Sequence, residues 1–196
     1  MENLNKYIFN SLKETHDVMA SLSSDKTLHE VIDKISDVCC DAINKGGKVM
    51  LAGNGGSAAD AQHIAGELVS RFMFDRPGLP SVALTTDTSI LTAIANDYGY
   101  EKLFSRQIQA IGCAEDVFFA YSTSGKSPNI IQGLIEAKRK KIITVGLSGM
   151  NESNNDMAQY CDYLIRIPSK STPKIQEGHL VVGHIICGLI EEKIFG

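Results

Sequence analysis

Short apolar runs alternate with stretches of helical periodicity along this chain, and no other feature constrains its fold as strongly. Val49 to Ala52, Val82 to Leu84, Val117 to Tyr121, Ile142 to Leu147 and Tyr163 to Ile167 read as buried strands. Between and after them, Ala58 to Phe72, Glu101 to Ile111, Pro128 to Lys140, Asn151 to Tyr160 and Pro173 to Phe195 read as helices. That order predicts an α/β domain, with a parallel sheet covered by helices on both faces. Ligands of such sheets collect beyond the carboxyl ends of the strands, so the loops that follow them hold the candidate chemistry.

Ahead of the first run, Leu4, Ile8, Leu12, Val18, Met19 and Leu22, then Leu28, Val31, Ile32, Ile35, Val38 and Ile43, recur at three- and four-residue steps. The spacing predicts two amphipathic helices over about residues 1–45, broken near Ser23 to Lys26 and ended at Gly46-Gly47. A chain of 196 residues, 43% hydrophobic, can bury one substantial core. With no repeat or linker to divide it, a single domain over 1–196 is expected.

The formal net charge of −4 is spread without a basic block, which argues against a nucleic-acid or anionic-membrane surface. The amphipathic, partly acidic N-terminus lacks the layout of a signal peptide, and no apolar run reaches membrane-spanning length. Cys39, Cys40, Cys113, Cys161 and Cys187 form no CxxC pair, which predicts reduced thiols and a cytoplasmic location.

The first strand runs directly into Gly53-Asn54-Gly55-Gly56-Ser57 and then a helix. Glycines let the backbone approach an oxygen-rich anion closely, and free N–H groups at the helix start favour negative charge. The loop matches neither G-x-x-x-x-G-K-[ST] nor a full G-x-G-x-x-G, so no nucleotide is indicated. After the third strand comes Ser122-Thr123-Ser124-Gly125-Lys126-Ser127-Pro128, with Ser127 placed as an N-cap and Pro128 as the first helical residue. Hydroxyls clustered at a helix N-terminus suit a phosphate monoester, and two such loops in one sheet can face a common crevice.

In the helix after the first loop, His63 and Glu67 stand four residues apart and share a face. One imidazole and one carboxylate make half of a tetrahedral zinc site. Thr172-Pro173 looks like a cap and first-turn proline for the last helix, on which Gln176, His179 and His184 are candidates to complete the set. Gln176 and His184 are about 12 Å apart along an ideal helix. Either both side chains converge or a second subunit contributes one, while His179 and its neighbours Gly178 and Gly183 can instead serve helix packing.

Gly53 to Ser57, Ala58-Ala59-Asp60-Ala61-Gln62-His63 with Glu67, Asn96-Asp97, Phe104 to Gln107, Ser122 to Ser127, and Ile175-Gln176-Glu177 with His184 together resemble bacterial phosphoheptose isomerases of the sugar isomerase (SIS) fold. The resemblance spans nearly the whole chain. It implies a three-layer α-β-α sandwich with a five-stranded parallel sheet, and a homotetramer with active sites at subunit interfaces. The implied activity is ketose-aldose isomerisation of sedoheptulose 7-phosphate to D-glycero-D-manno-heptose 7-phosphate through an enediol, the first step of heptose precursor biosynthesis.

Carried onto matching positions, the resemblance implies one zinc per subunit on His63, Glu67, Gln176 and His184, with Glu67 as base and His184 as acid. Ser57, Ser122, Thr123, Ser124 and Ser127 would hold the sugar phosphate, and Asn54, Gly55, Gly56, Asn96, Asp97, Glu67 and Gln176 would line the substrate site. Two other readings share the fold: a non-catalytic SIS protein that binds a replication initiator, and an isomerase of another sugar phosphate. The presence of both Glu67 and His184 weighs against the first, and pocket depth decides the second.

Overall fold

The computed structural model describes residues 2–150 and 155–196. Two long helices come first, α1 (Glu2–Ser24) and α2 (Lys26–Asn44). Asp25 separates them because its backbone is extended and its carboxylate accepts the Leu28 N–H at 3.0 Å, capping α2. The chain then alternates as β1 (Val49–Ala52), α3 (Gly56–Val69), β2 (Ser81–Ala83), α4 (Thr88–Tyr98), a 3-10 turn over Tyr100–Lys102, and α5 (Leu103–Ile111). It continues as β3 (Val117–Tyr121), α6 (Pro128–Arg139), β4 (Ile143–Gly149), a 3-10 turn over Ala158–Tyr160, β5 (Tyr163–Ile167) and α7 (Thr172–Phe195).

All strand pairs are parallel, in the order β2-β1-β3-β4-β5. Residues alternate between two cores with the period of the pleat. Val49, Leu51, Val117, Phe119, Tyr121, Val145 and Leu147 pack with α1, α2, α3 and α7, while Met50, Ala52, Phe118 and Ala120 pack with α5 and α6. The result is the expected three-layer α/β sandwich around a five-stranded parallel sheet. It draws the N-terminal helices onto the same face as α3 and α7.

Beyond shifts of one to three residues at element ends, two local expectations differ from the structure. Residues 88–98 carry no expected helix, yet they form α4, started by Asp87, whose carboxylate accepts the Ile90 N–H at 2.9 Å. None of its residues is buried in this chain, so the element rests on its cap and on Leu91, Ile94 and Ala95, which pack only partly against the core. The helix expected over Asn151 to Tyr160 lies partly outside the described residues, and its described end is only the 3-10 turn Ala158–Tyr160.

Candidate active site

The strand order reverses between β1 and β3, and chains leaving neighbouring strands at such a point diverge to opposite faces, opening a crevice at the carboxyl edge. The two loops singled out by sequence leave these two strands. In the first, Ser57 is buried and its N–H bonds the Asn54 carbonyl at 3.0 Å, closing the turn that starts α3. Gly56 lies under the side chain of Gln176, where an added Cβ would sit 2.5 Å from Nε2 and displace that amide.

In the second loop, the Ser122 N–H bonds the Leu147 carbonyl at 3.0 Å and the Thr123 carbonyl accepts the Gly149 N–H at 3.1 Å, which fixes the loop to the end of β4. The Ser122 and Ser127 hydroxyls meet at 3.0 Å across the turn, and Ser124 Oγ accepts the Lys126 N–H at 3.2 Å. Ser127 occupies the N-cap position of α6 as expected, but its hydroxyl faces Ser122 and makes no capping bond. Asn155 supports the turn from below: its Nδ2 donates to Ser148 Oγ at 2.8 Å and its amide packs against Gly125.

His63, Glu67 and His184 converge. His63 Nε2 lies 2.9 Å from Glu67 Oε1 and 3.1 Å from His184 Nε2, and ligand atoms of all three lie within 4.8 Å of one another. The two imidazoles meet edge to face with centroids 4.9 Å apart, and the Phe72 ring stacks on His184 at 5.5 Å. Two facing ring nitrogens beside a carboxylate suit a shared cation, which satisfies both lone pairs at once.

One turn before His63, burial pushes the Asp60 carboxyl up to about 6, although the nearby His63 pulls the other way. Asp60 Oδ2 is buried with no hydrogen-bond partner among the described residues.

The structure does not bring every expected residue to this point. Among the described residues no hydrogen bond joins Gln176 to the three converging groups, and its amide faces Gly56 instead. Asn96 and Asp97 are exposed on α4 and bonded to each other at 2.7 Å. Asp97 lines a hollow of about 290 Å³ between α4 and α5, to which neither loop contributes. His179 is fully buried, with Nε2 3.3 Å from the Ser148 carbonyl and its ring against Tyr121, so its role is packing. The last helix is capped one residue earlier than expected, at Ser171.

A family model described as "SIS domain" matches residues 12–161. A phosphoheptose isomerase of Burkholderia pseudomallei (strain 1710b) is 63% identical over 190 residues, covering 97% of this chain and 95% of the relative. One from Aneurinibacillus thermoaerophilus is 57% identical over 192 residues, covering 98% and 96%. The solved structure of a phosphoheptose isomerase from Neisseria gonorrhoeae superimposes with a TM-score of 0.86 at 35% identity, covering 95% of this chain and 99% of that one. This chain belongs to the SIS-domain family, in its phosphoheptose isomerase branch.

In this phosphoheptose isomerase-family chain the sequence reading passed over several groups that hold the site together. Arg76 and Glu191 form a buried ion pair at 2.9 Å, and the guanidinium also donates to the Glu67 carbonyl at 2.9 Å, so it ties the end of α3 to α7. Asn129 and Tyr100 bond the Asn54 side chain at 2.8 and 3.0 Å. An Asn directly after the Ser127-Pro128 helix start was the available signal for Asn129, while nothing local marked Glu191.

Proposed function

We propose that this chain interconverts sedoheptulose 7-phosphate and D-glycero-D-manno-heptose 7-phosphate. The observation that carries the reading is the convergence of His63, Glu67 and His184 on α3 and α7, beside two phosphate-type loops at the sheet's switch point. Similarity to proteins named phosphoheptose isomerases supports the substrate class.

Ketose-aldose isomerisation removes a proton from the carbon beside a carbonyl and returns it to the neighbouring carbon, through an enediol. The Glu67 carboxylate moves the carbon-bound proton, and the His184 imidazole exchanges protons with the substrate oxygens. Ser57, Ser122, Thr123, Ser124 and Ser127 grip the phosphate, far from the reacting carbons of a seven-carbon sugar. Their contribution is positioning, which turns remote binding energy into rate.

The donor set of two imidazole nitrogens and a carboxylate oxygen fits zinc, one ion per subunit, held by His63, Glu67 and His184 with Gln176 as the remaining ligand. When bound, the ion supplies Lewis-acid polarisation of the substrate carbonyl. A homotetramer is supported by the exposed stripe Leu4, Tyr7, Ile8 and Leu12 on α1, and by exposed Val181 and Ile185 on α7. Five free cysteines support a reducing, cytoplasmic setting.

The test is sedoheptulose 7-phosphate conversion followed by NMR, before and after chelation and zinc addition. Wild type should turn over, Glu67→Gln should lose chiefly kcat, and Ser124→Ala should raise KM more than Glu67→Gln does. A folded, zinc-loaded wild type without turnover would favour a binding protein.

A further inference from the structure

Asn54 was expected to line the substrate site, yet the protein itself uses most of its side chain. Asn54 Nδ2 donates to Asn129 Oδ1 at 2.9 Å and Asn129 Nδ2 donates back to Asn54 Oδ1 at 2.8 Å, so the two amides pair reciprocally. The Tyr100 hydroxyl donates to the same Asn54 Oδ1 at 3.0 Å. Asn129 Oδ1 accepts a second bond, from the Ile130 N–H at 3.0 Å. An Asn side chain offers two amide hydrogens and an oxygen with two lone pairs. Both oxygens are therefore saturated, and Asn54 keeps a single amide hydrogen for any ligand.

The placement of this pair gives it a function. Asn54 belongs to the glycine loop, which leads directly into the helix carrying His63 and Glu67. Asn129 is only 2% exposed and sits in the first turn of α6, directly after the Ser122–Ser127 loop. The amide pair bridges the switch point of the sheet and fixes the separation between the phosphate-holding loop and the groups that move protons. Tyr100 ties in the segment that follows Asn96 and Asp97. A seven-carbon substrate held by its phosphate presents its carbonyl end to Glu67 only if that separation is right, and a misplacement of about 1 Å can lower rate by roughly a hundredfold.

We infer that Asn129, assisted by Tyr100, is a positioning residue of the isomerase: through Asn54 it holds the two loops in register and acts on turnover, not on phosphate affinity. The inference rests on the reading of Ser122–Ser127 as the phosphate seat.

The test is steady-state kinetics on sedoheptulose 7-phosphate with inorganic phosphate as competitive inhibitor, using Asn54→Ala, Asn129→Ala, the double variant, Tyr100→Phe and Ser124→Ala. Asn129→Ala should lower kcat roughly ten- to a hundredfold while KM and the phosphate inhibition constant stay within about threefold. The double variant should be no slower than the slower single one, because both remove the same bridge. Tyr100→Phe, at an exposed position that puts no core at risk, should lower kcat roughly threefold.

A folded Asn129→Ala variant with kcat within about twofold of wild type, or single effects that multiply in the double variant, overturns the inference. If Asn129→Ala does not fold, an unchanged kcat in Tyr100→Phe overturns it alone. An unchanged KM in Ser124→Ala removes the phosphate seat itself. A raised KM there, with Asn129→Ala silent, leaves the seat standing and sinks only the bridge.

Discussion

Removing Arg76 tests whether its ion pair with Glu191, which joins the segment after α3 to α7, holds the site together. Its side chain is 2% exposed and that of Glu191 1%, so neither charge has bulk water to fall back on. Glu191 accepts Arg76 Nε at 2.9 Å, the Phe72 N–H at 3.1 Å and the Met73 N–H at 2.7 Å. Arg76 in turn serves the carbonyls of Glu67, Leu68, Ser70 and Pro77.

Arg76→Met leaves a buried carboxylate with only its two backbone donors and takes the guanidinium from those four carbonyls, of which that of Leu68 keeps the Leu79 N–H at 3.0 Å and those of Ser70 and Pro77 are open to water. Breaking one side of such a pair typically costs about 3–5 kcal/mol. For a chain of this size that corresponds to a fall in Tm of roughly 6 to 20 °C. Circular-dichroism melts at fixed protein concentration, with and without zinc, measure it. Arg76→Met/Glu191→Leu should be less destabilised than the two single variants summed, since it leaves no lone buried charge. A single variant melting within about 3 °C of wild type, or strict additivity in the double one, would refute the reasoning.

Gly183→Ala should lower kcat more than stability, because the new Cβ falls 2.6 Å from Ile64 Cδ1 and pushes His184 away from His63; kinetics beside a melt of the same sample decide it. His179 should make stability pH-dependent. Burial holds its imidazole down to about 4, against a bond to the Ser148 carbonyl that raises it, so the unfolded chain takes up a proton that the folded chain refuses between about 6.5 and 4. Stability is therefore lost as pH falls through that window, by up to about 3 kcal/mol, and the urea-measured advantage of wild type over His179→Asn should shrink accordingly. A difference that stays flat from pH 7 to 4.5 would count against it. The proposed homotetramer predicts that Tyr7→Asp with Leu12→Asp, on the exposed stripe of α1, lowers the light-scattering mass relative to wild type, and an unchanged mass would count against an interface on that stripe.

What the sequence made legible was local in origin. The three inner strands declared themselves as apolar runs because both of their faces are covered, and the two loops as glycine and hydroxyl clusters directly after strands. His63 and Glu67 could be paired because four residues are one helical turn. Residues 88–98 were passed over although Ile90, Leu91, Ile94 and Tyr98 follow a helical spacing behind the Asp87 cap, a pattern whose apolar face this chain leaves largely uncovered. Asn129, Arg76 and Glu191 act through partners 75 to 119 residues away, and no local pattern of residue types encodes such a distance.

The joining of His184 to His63, 121 residues apart, shows how the fold converts separate local signals into a site. Gln176 lies over Gly56 at the start of α3 and Gly183 packs on Ile64 further along, so α3 and α7 run in the same direction side by side. In parallel helices, equal steps along both chains keep the same partners in contact. A residue in the second turn of α7 therefore meets the glycine loop, and a residue about two turns later meets His63 and Glu67. The eight residues between Gln176 and His184 thus span the same axial distance as the seven between Gly56 and His63, to within one residue's rise. For Gln176 to serve as a fourth ligand, its amide has to leave Gly56 and reach along the groove, or a neighbouring copy has to present an equivalent one.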